Sequence, residues 1–207
     1  MRLVIFGATG GTGRLLVEQA LSAGHDVTAF ARPGSTIEAR PRLSIVIGSV
    51  LDSAAVASVI AEQDAVLCAL GGRPWRNSRI CSSALRRIIP GMKQHGIRRI
   101  LAISSLGAGD TRGDVGWFAR NVLFRVLLRT EIADKEAMED LLLASGLDWT
   151  VVRVGLLTDG SLCGELRVAD DHSIQGMGRI ARSDVATFML AQIGSEFWKC
   201  RRPVLVY

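Results

Sequence analysis

Six short apolar and β-branched runs recur along the chain: RLVIF (2–6), DVTAF (26–30), LSIVI (43–47), AVLCAL (65–70), RILAIS (99–104) and WTVVRV (149–154). Between them lie segments whose apolar residues return at helical spacing. This alternation is the mark of βαβ units, in which the strands lie parallel and helices cover both faces of the sheet. The expected fold class is therefore α/β, a Rossmann-like doubly wound, mostly parallel sheet flanked by helices.

The connecting segments carry their own start and stop signals. After the first run, Leu15, Leu16, Gln19, Ala20 and Ala23 fall near helical spacing and Gly24 supplies a C-cap. A second helix is expected over about 53–61, opened by Asp52 or Ser53, and a third over 80–95, closed by Gly96. The long stretch 105–147 holds a glycine-rich loop, the amphipathic WFARNVLFRVLLR, read as a core-facing segment, and a helix in DKEAMEDLLLASG. Long connections at the carboxyl end of such a sheet tend to build ligand sites. With no repeat, low-complexity tract or linker, residues 1–207 are expected to form one domain, its substrate site built by loops at 71–80, 105–130 and 155–178.

Composition narrows the partners. No apolar stretch approaches the roughly 20 residues a membrane helix needs. The chain enters its first strand at Leu3 without the features of a signal peptide, so a soluble, cytoplasmic protein with no membrane partner is expected. Cys68, Cys81, Cys163 and Cys200 form no CxxC pair, and His25, His95 and His172 share no ligand spacing, so no metal is expected. The net charge of +5 comes almost wholly from arginine and suits an anionic ligand. The pairs Arg86/Arg87, Arg98/Arg99 and Arg201/Arg202 are short, scattered and without interleaved aromatics, which argues against nucleic acid.

The most informative stretch is GATGGTG (7–13), directly behind the first strand and opening the first helix. There Gly7 permits a tight turn, Gly10 lets backbone approach a pyrophosphate, and Gly13 lets helix and strand pack closely. The spacing is GxxGxxG rather than GxGxxG, and glycine also serves plain turns. The strand–loop–helix context favours a dinucleotide. At the end of the second strand, where a carboxylate would bind the ribose of NAD, FARPGS offers Arg32, the residue type that accepts the 2′-phosphate of NADP. NADPH is therefore expected over NADH. Asp26 opens the same strand too early to reach the ribose.

Together with GSVLD, ALGG, ISS, DKEAMEDLLLASGLDWTVVR and ARSDVATFML, the glycine stretch resembles the atypical short-chain dehydrogenases with an NAD(P)H-binding, NmrA-like fold. The resemblance covers nearly the whole chain and is strongest to the biliverdin-IXβ/flavin reductase branch. It implies that Gly7, Thr9, Gly10, Gly11, Thr12 and Gly13 hold the pyrophosphate, Arg32 the 2′-phosphate, and Ser49 with Val50 the adenine edge. Ser49 stands where an aspartate is more usual. It further implies that Leu70, Gly71, Gly72 and Arg73 border the cofactor, and that Ile103, Ser104 and Ser105 reach the nicotinamide and substrate. Lys135 would hold the nicotinamide ribose, and Val154 and Leu156 would set backbone groups near the carboxamide. The histidines of the flavin reductase pattern near Lys135 and Leu156 are missing.

A standard short-chain dehydrogenase has a tyrosine four residues before its lysine, where the ammonium lowers the phenol pKa for proton transfer to a carbonyl oxygen. Here that position is Glu131, and the one tyrosine is Tyr207. Ketone reduction is disfavoured, and so is epimerisation of a sugar nucleotide. A flat conjugated acceptor such as FMN, riboflavin, a bilin or a quinone asks less of the protein, since stacked geometry carries most of the rate. Ser105 and Lys135 are the catalytic candidates. Arg73, Arg76 and Arg79 suit phosphate or propionate groups, and Trp75 a flat ring. The alternative is a non-catalytic dinucleotide sensor that acts on a protein partner.

Overall fold

A computed structural model describes residues 1–71, 79–115, 128–160 and 165–207. The first half runs β1 (Arg2–Phe6), α1 (Gly11–Ser22), β2 (Asp26–Ala31), β3 (Leu43–Ile47), α2 (Ser53–Ile60), β4 (Ala65–Cys68) and α3 (Ile80–Gln94). The second runs β5 (Arg99–Ser105), α4 (Arg129–Leu143), β6 (Asp148–Val154), β7 (Leu156–Thr158), β8 (Arg167–Ala169), β9 (Arg179–Ala181), α5 (Arg182–Ala191) and β10 (Val204–Val206). The six expected strands all form. The main sheet has the order β3-β2-β1-β4-β5-β6-β10-β8, with every neighbouring pair parallel except β10 and β8. A separate parallel pair joins β7 to β9.

Both faces of the sheet are covered, which is why the strand sequences are apolar nearly throughout. Along β1, Leu3 and Ile5 turn to one side and pack with Leu16 and Val17 of α1 and Val185 and Met189 of α5. Val4 and Phe6 turn to the other and pack with Ile60 of α2, Ile88 and Met92 of α3 and Leu142 of α4. No described helix is long and apolar enough to cross a membrane.

Strand order reverses at β1, which lies between β2 and β4. Ligands of open α/β sheets bind in the crevice outside the carboxyl ends of the strands at such a point. At this point Gly7, just after β1, lies against the Ala69–Leu70 backbone, just after β4. The two are so close that a Cβ on Gly7 would lie 2.5 Å from the Ala69 carbonyl oxygen, and Gly7 has φ +84°. Only glycine fits there.

Among the helices that begin at this edge, α1, α2 and α3 differ at their amino ends. At α2 the Asp52 carboxylate accepts from the Ala54 and Ala55 N–H groups at 2.9 and 3.2 Å. At α3 a carboxylate from another helix, Asp134 of α4, accepts from the Cys81 and Ser82 N–H groups at 2.8 and 2.9 Å and from the Ser82 hydroxyl. At α1 the N-cap is Gly10, with no side-chain cap and no acidic residue in the first turn. Its N–H groups and partial positive charge face outward.

Candidate active site

The glycine loop brings α1 against the end of β1. A Cβ on Gly13 would come within 2.0 Å of the Gly7 carbonyl oxygen, so Gly13 is demanded by packing. Gly10 is different. It is exposed, has φ −75° and ψ 166°, and a Cβ there would meet only the Gly7 oxygen, at 3.3 Å. At Gly11 a Cβ would strike the Arg182 side chain at 2.8 Å. Arg182, the first residue of α5, thus lies over the amino end of α1, held by an ion pair to Asp159 at 2.6 Å. Sequence reading passed over it, although it stands in the ARSDVATFML stretch. Thr12 is buried and Thr9 half-buried in the same loop.

Arg32 follows β2 directly, opens a turn closed by the Ser35 N–H on its carbonyl at 3.1 Å, and is exposed. A groove of about 300 Å³ runs beside the glycine loop, lined by Ala8, Arg14, Val17, Ile37 and Arg40 among others. Arg14 and Arg40 add cationic groups that lie outside any recognisable sequence motif. Ser49 is exposed and its hydroxyl accepts from the Leu51 N–H at 3.2 Å, while the Val50 side chain is buried in the core. The Val50 side chain therefore has no free edge to offer.

Lys135 reaches from α4 to the ends of two strands. Its ammonium donates to the Leu70 carbonyl at 2.9 Å and the Ile103 carbonyl at 2.7 Å, joining the tips of β4 and β5 beside the crevice. Ser105, the last residue of β5, is half-buried with its hydroxyl on the Leu106 carbonyl at 3.1 Å. Glu131 lies one turn before Lys135, with Oε1 buried and without a hydrogen-bond partner. Burial, the larger effect, pushes its carboxyl above the ordinary glutamate value while Lys135 pulls it down.

Other expected positions sit differently. Ser104 does not turn its hydroxyl to the crevice: it is buried and donates to Glu139 at 2.5 Å. It belongs to a charged network in which Arg153 of β6 donates to Glu139 at 2.6 Å and pairs with Asp110 at 2.6 Å, and Arg202 also reaches Asp110. The Val154 carbonyl already accepts from the Leu106 N–H, and the Leu156 N–H donates to the Gly178 carbonyl, because Leu156 belongs to β7. Those two backbone groups are committed to the fold rather than open to a carboxamide. The loop is also tight at Gly155, where a Cβ would lie 2.3 Å from the Met177 oxygen. Gly71 is exposed at the crevice rim, while Gly72, Arg73, Trp75 and Arg76, with most of WFARNVLFRVLLR, lie outside the described residues.

Arg79 is described, at the amino end of α3, where it shares a depression of about 360 Å³ with Arg129, Thr130 and Ala133 of α4. Cys68 and Cys81 are buried, and burial pushes the Cys68 thiol up to about 12, which leaves it inert. Among the described residues no His, Cys, Asp and Glu cluster is arranged to hold a metal ion.

Residues 7–196 match the family described as NAD(P)H-binding. The chain belongs to that family. The match begins at the first glycine of the loop and carries through α5, so it spans both halves of the sheet. An uncharacterized chloroplastic protein of Arabidopsis thaliana is 28% identical over 210 residues, covering 95% of this chain and 74% of that protein. Among solved structures, the anaerobilin reductase ChuY of Escherichia coli O157:H7 superposes with a TM-score of 0.82 at 22% identity, over 100% of this chain and 97% of the other. A short-chain dehydrogenase/reductase of Veillonella parvula, solved with NADP, gives 0.84 at 16% identity, over 100% and 94%. These likenesses show a shared Rossmann-like fold.

Proposed function

We propose that this member of the family is an NADPH-dependent oxidoreductase whose acceptor is a flat conjugated molecule, with FMN, riboflavin, a bilin or a quinone as the class. The observation that carries the reading is the uncapped amino end of α1 at the strand-order reversal, opposite strand tips joined by a lysine that has no tyrosine beside it. The residues present fit a dinucleotide. Gly10 leaves room for a pyrophosphate where side chains at Gly7 and Gly13 would clash with the protein itself. N–H groups of the loop and of α1's first turn would donate to it, Arg182 would stand near as a counter-charge, and Arg32 would take the 2′-phosphate. A bound NADPH supplies hydride to the acceptor.

The chain's own groups then position and screen. Lys135 fixes the spacing of the β4 and β5 tips and has a third N–H for the nicotinamide ribose. Ser105 borders the acceptor, and Arg79 with Arg129 suits its anionic groups, propionates or phosphate, at the mouth between α3 and α4. The name carried by the ChuY neighbour supports a tetrapyrrole among the acceptors to try. The test is to mix the protein with NADPH and each of FMN, riboflavin, a bilin and a quinone while following the absorbance of the reduced nicotinamide. Turnover with at least one, faster with NADPH than NADH, is expected. Tight NADPH binding with no turnover on any of them would replace this reading by that of a dinucleotide sensor.

A further inference from the structure

The carboxylate at the vacant tyrosine position is not idle. We infer that Glu131 is the proton donor to the acceptor, occupying the place on α4, one helical turn before Lys135, that a phenol holds in the standard arrangement. The inference rests on the reductase reading above and adds the residue that completes its chemistry.

Three observations place Glu131 there. The Lys135 ammonium sits on the Leu70 and Ile103 carbonyls, so that turn of α4 is level with the carboxyl tips of β4 and β5. One turn toward the start of α4 moves about 5.4 Å further beyond the edge. Two residues along β5, from Ile103 to Ser105, move roughly 6.6 Å the same way. Glu131 and Ser105 both therefore lie further toward the carboxyl edge of the sheet than the residues that hold and carry the Lys135 ammonium.

Second, α4 is pinned so that this level is fixed. Asp134 caps α3, Lys135 holds the strand tips, and Glu139 is bound by Arg153 and Ser104. Each neighbour of Glu131 on this face has its partner. Glu131 has none: its Oε1 is sealed from water without a donor to satisfy it. A buried carboxylate oxygen left this way costs free energy that a structural role would not explain.

Third, the carboxyl is held toward its protonated form, as a proton donor must be. The charged group that acts on it is Lys135 of α4, one turn further along the same helix. Lys135 lowers its titration, and burial outweighs Lys135.

In the step assigned to it, the acceptor gains hydride and with it two electrons, which leave the nicotinamide oxidised. Negative charge then develops on a ring nitrogen or oxygen of the acceptor. The Glu131 O–H bond breaks, a new N–H or O–H bond forms on the acceptor, and the carboxylate left behind is stabilised by Lys135 one turn away. Water returns the proton when product leaves.

The experiment uses Glu131→Gln and Glu131→Tyr in the full chain, with NADPH and whichever acceptor the wild type reduces best. NADPH titration by fluorescence should be unchanged in both, because the phosphate grip is not touched, and thermal melts should show both folded, with Glu131→Gln melting no lower than the wild type because it removes a buried, unpartnered carboxylate. Wild-type turnover should fall as pH rises through the raised carboxyl value. Glu131→Gln should lose about a hundredfold in rate, the lower end of what general acids contribute, and should lose that pH limb. Glu131→Tyr should regain part of the rate with its limb moved toward alkaline pH. Infrared titration of wild type minus Glu131→Gln, with no ligand present, should show one carboxyl protonated above the ordinary glutamate range. A Glu131→Gln variant with wild-type rate and pH profile, or an equal loss at every pH, or a carboxyl titrating at the ordinary value, overturns the inference and leaves the reductase reading standing. Wild-type protein that reduces no acceptor overturns both.

Discussion

Gly10 separates the fold from the ligand, and Gly10→Ala measures the difference. With φ −75° and ψ 166° the backbone there suits alanine as well as glycine, and the added methyl meets a single protein atom, the Gly7 oxygen at 3.3 Å. Relieving that contact takes a shift of a few tenths of an ångström. Alanine is a poorer N-cap than glycine by roughly 0.5–1 kcal/mol, and the loss of backbone freedom in the unfolded chain returns about 0.4–1 kcal/mol. The apo stability should therefore change by less than about 1 kcal/mol, which for a chain of this size is a melting shift of roughly 2–4 °C at most. NADPH at a hundred times its Kd stabilises the wild type by about 2.7 kcal/mol. If the methyl occupies pyrophosphate space and weakens binding a hundredfold, that gain drops to about 0.4 kcal/mol and the ligand-induced rise nearly vanishes. Gly13→Ala is the contrast, since its methyl would sit 2.0 Å from the Gly7 oxygen and should lower the apo melt sharply. Differential scanning fluorimetry with and without NADPH reads all four quantities. A Gly10→Ala protein with a depressed apo melt and an intact NADPH shift would refute the assignment of this loop to phosphate.

Three further outcomes are expected. Arg32→Ala should weaken NADPH tenfold to a hundredfold, about 1.5–3 kcal/mol for a lost charge-assisted contact, and leave NADH unchanged; calorimetric titration with both cofactors checks it. Glu139→Ala strips Arg153 and Ser104 of a buried acceptor and should destabilise by about 3–5 kcal/mol, read as a lowered urea midpoint with an unchanged slope. His172 has its pKa raised, first by the hydrogen bond to Asp114 at 2.7 Å. The stability it lends is fully present below its unfolded value and is lost as pH rises through the raised folded value, and in an NMR titration Asp114→Asn should move its midpoint downward.

The frame of the molecule was readable because its signals are long or chemically specific. The strands β1, β2, β4, β5 and β6 are buried on both faces over most of their length, so each reads as an apolar run, the partly buried edge strand β3 reads by its β-branched residues, and Asp52 and Gly24 mark helix ends by their own chemistry. What escaped reading is short or distant. The strands β7, β8, β9 and β10 have three residues each, too few to show a period, and are held by pairing across long sequence separations. In the candidate site, the glycine loop was legible from its place between a strand and a helix, and Lys135 was singled out only through the family resemblance. Ser104 was misjudged because a serine at a strand tip looks the same whether it faces ligand or core, and its partner Glu139 lies 35 residues away. Arg182 was missed for the same reason: its position over Gly11 follows from the packing of α5 beside α1, which no local pattern announces.

The unequal treatment of the three helix ends has a consequence for direction. Asp52 and Asp134 are anions tethered where a diffusing phosphate would otherwise dock, and a tethered competitor acts at a high effective concentration. Phosphate arriving at α2 or α3 must displace a carboxylate already hydrogen-bonded to two N–H groups; at α1 no carboxylate stands in the way, and the nearby side chain is the cationic Arg182. Of these three helix ends, α1 alone is left without a carboxylate, on the β1 side of the strand-order reversal. If NADPH binds as proposed, with its pyrophosphate at α1, its direction would be set by its ends, the adenosine side toward Arg32 and β2 and the nicotinamide side toward Lys135.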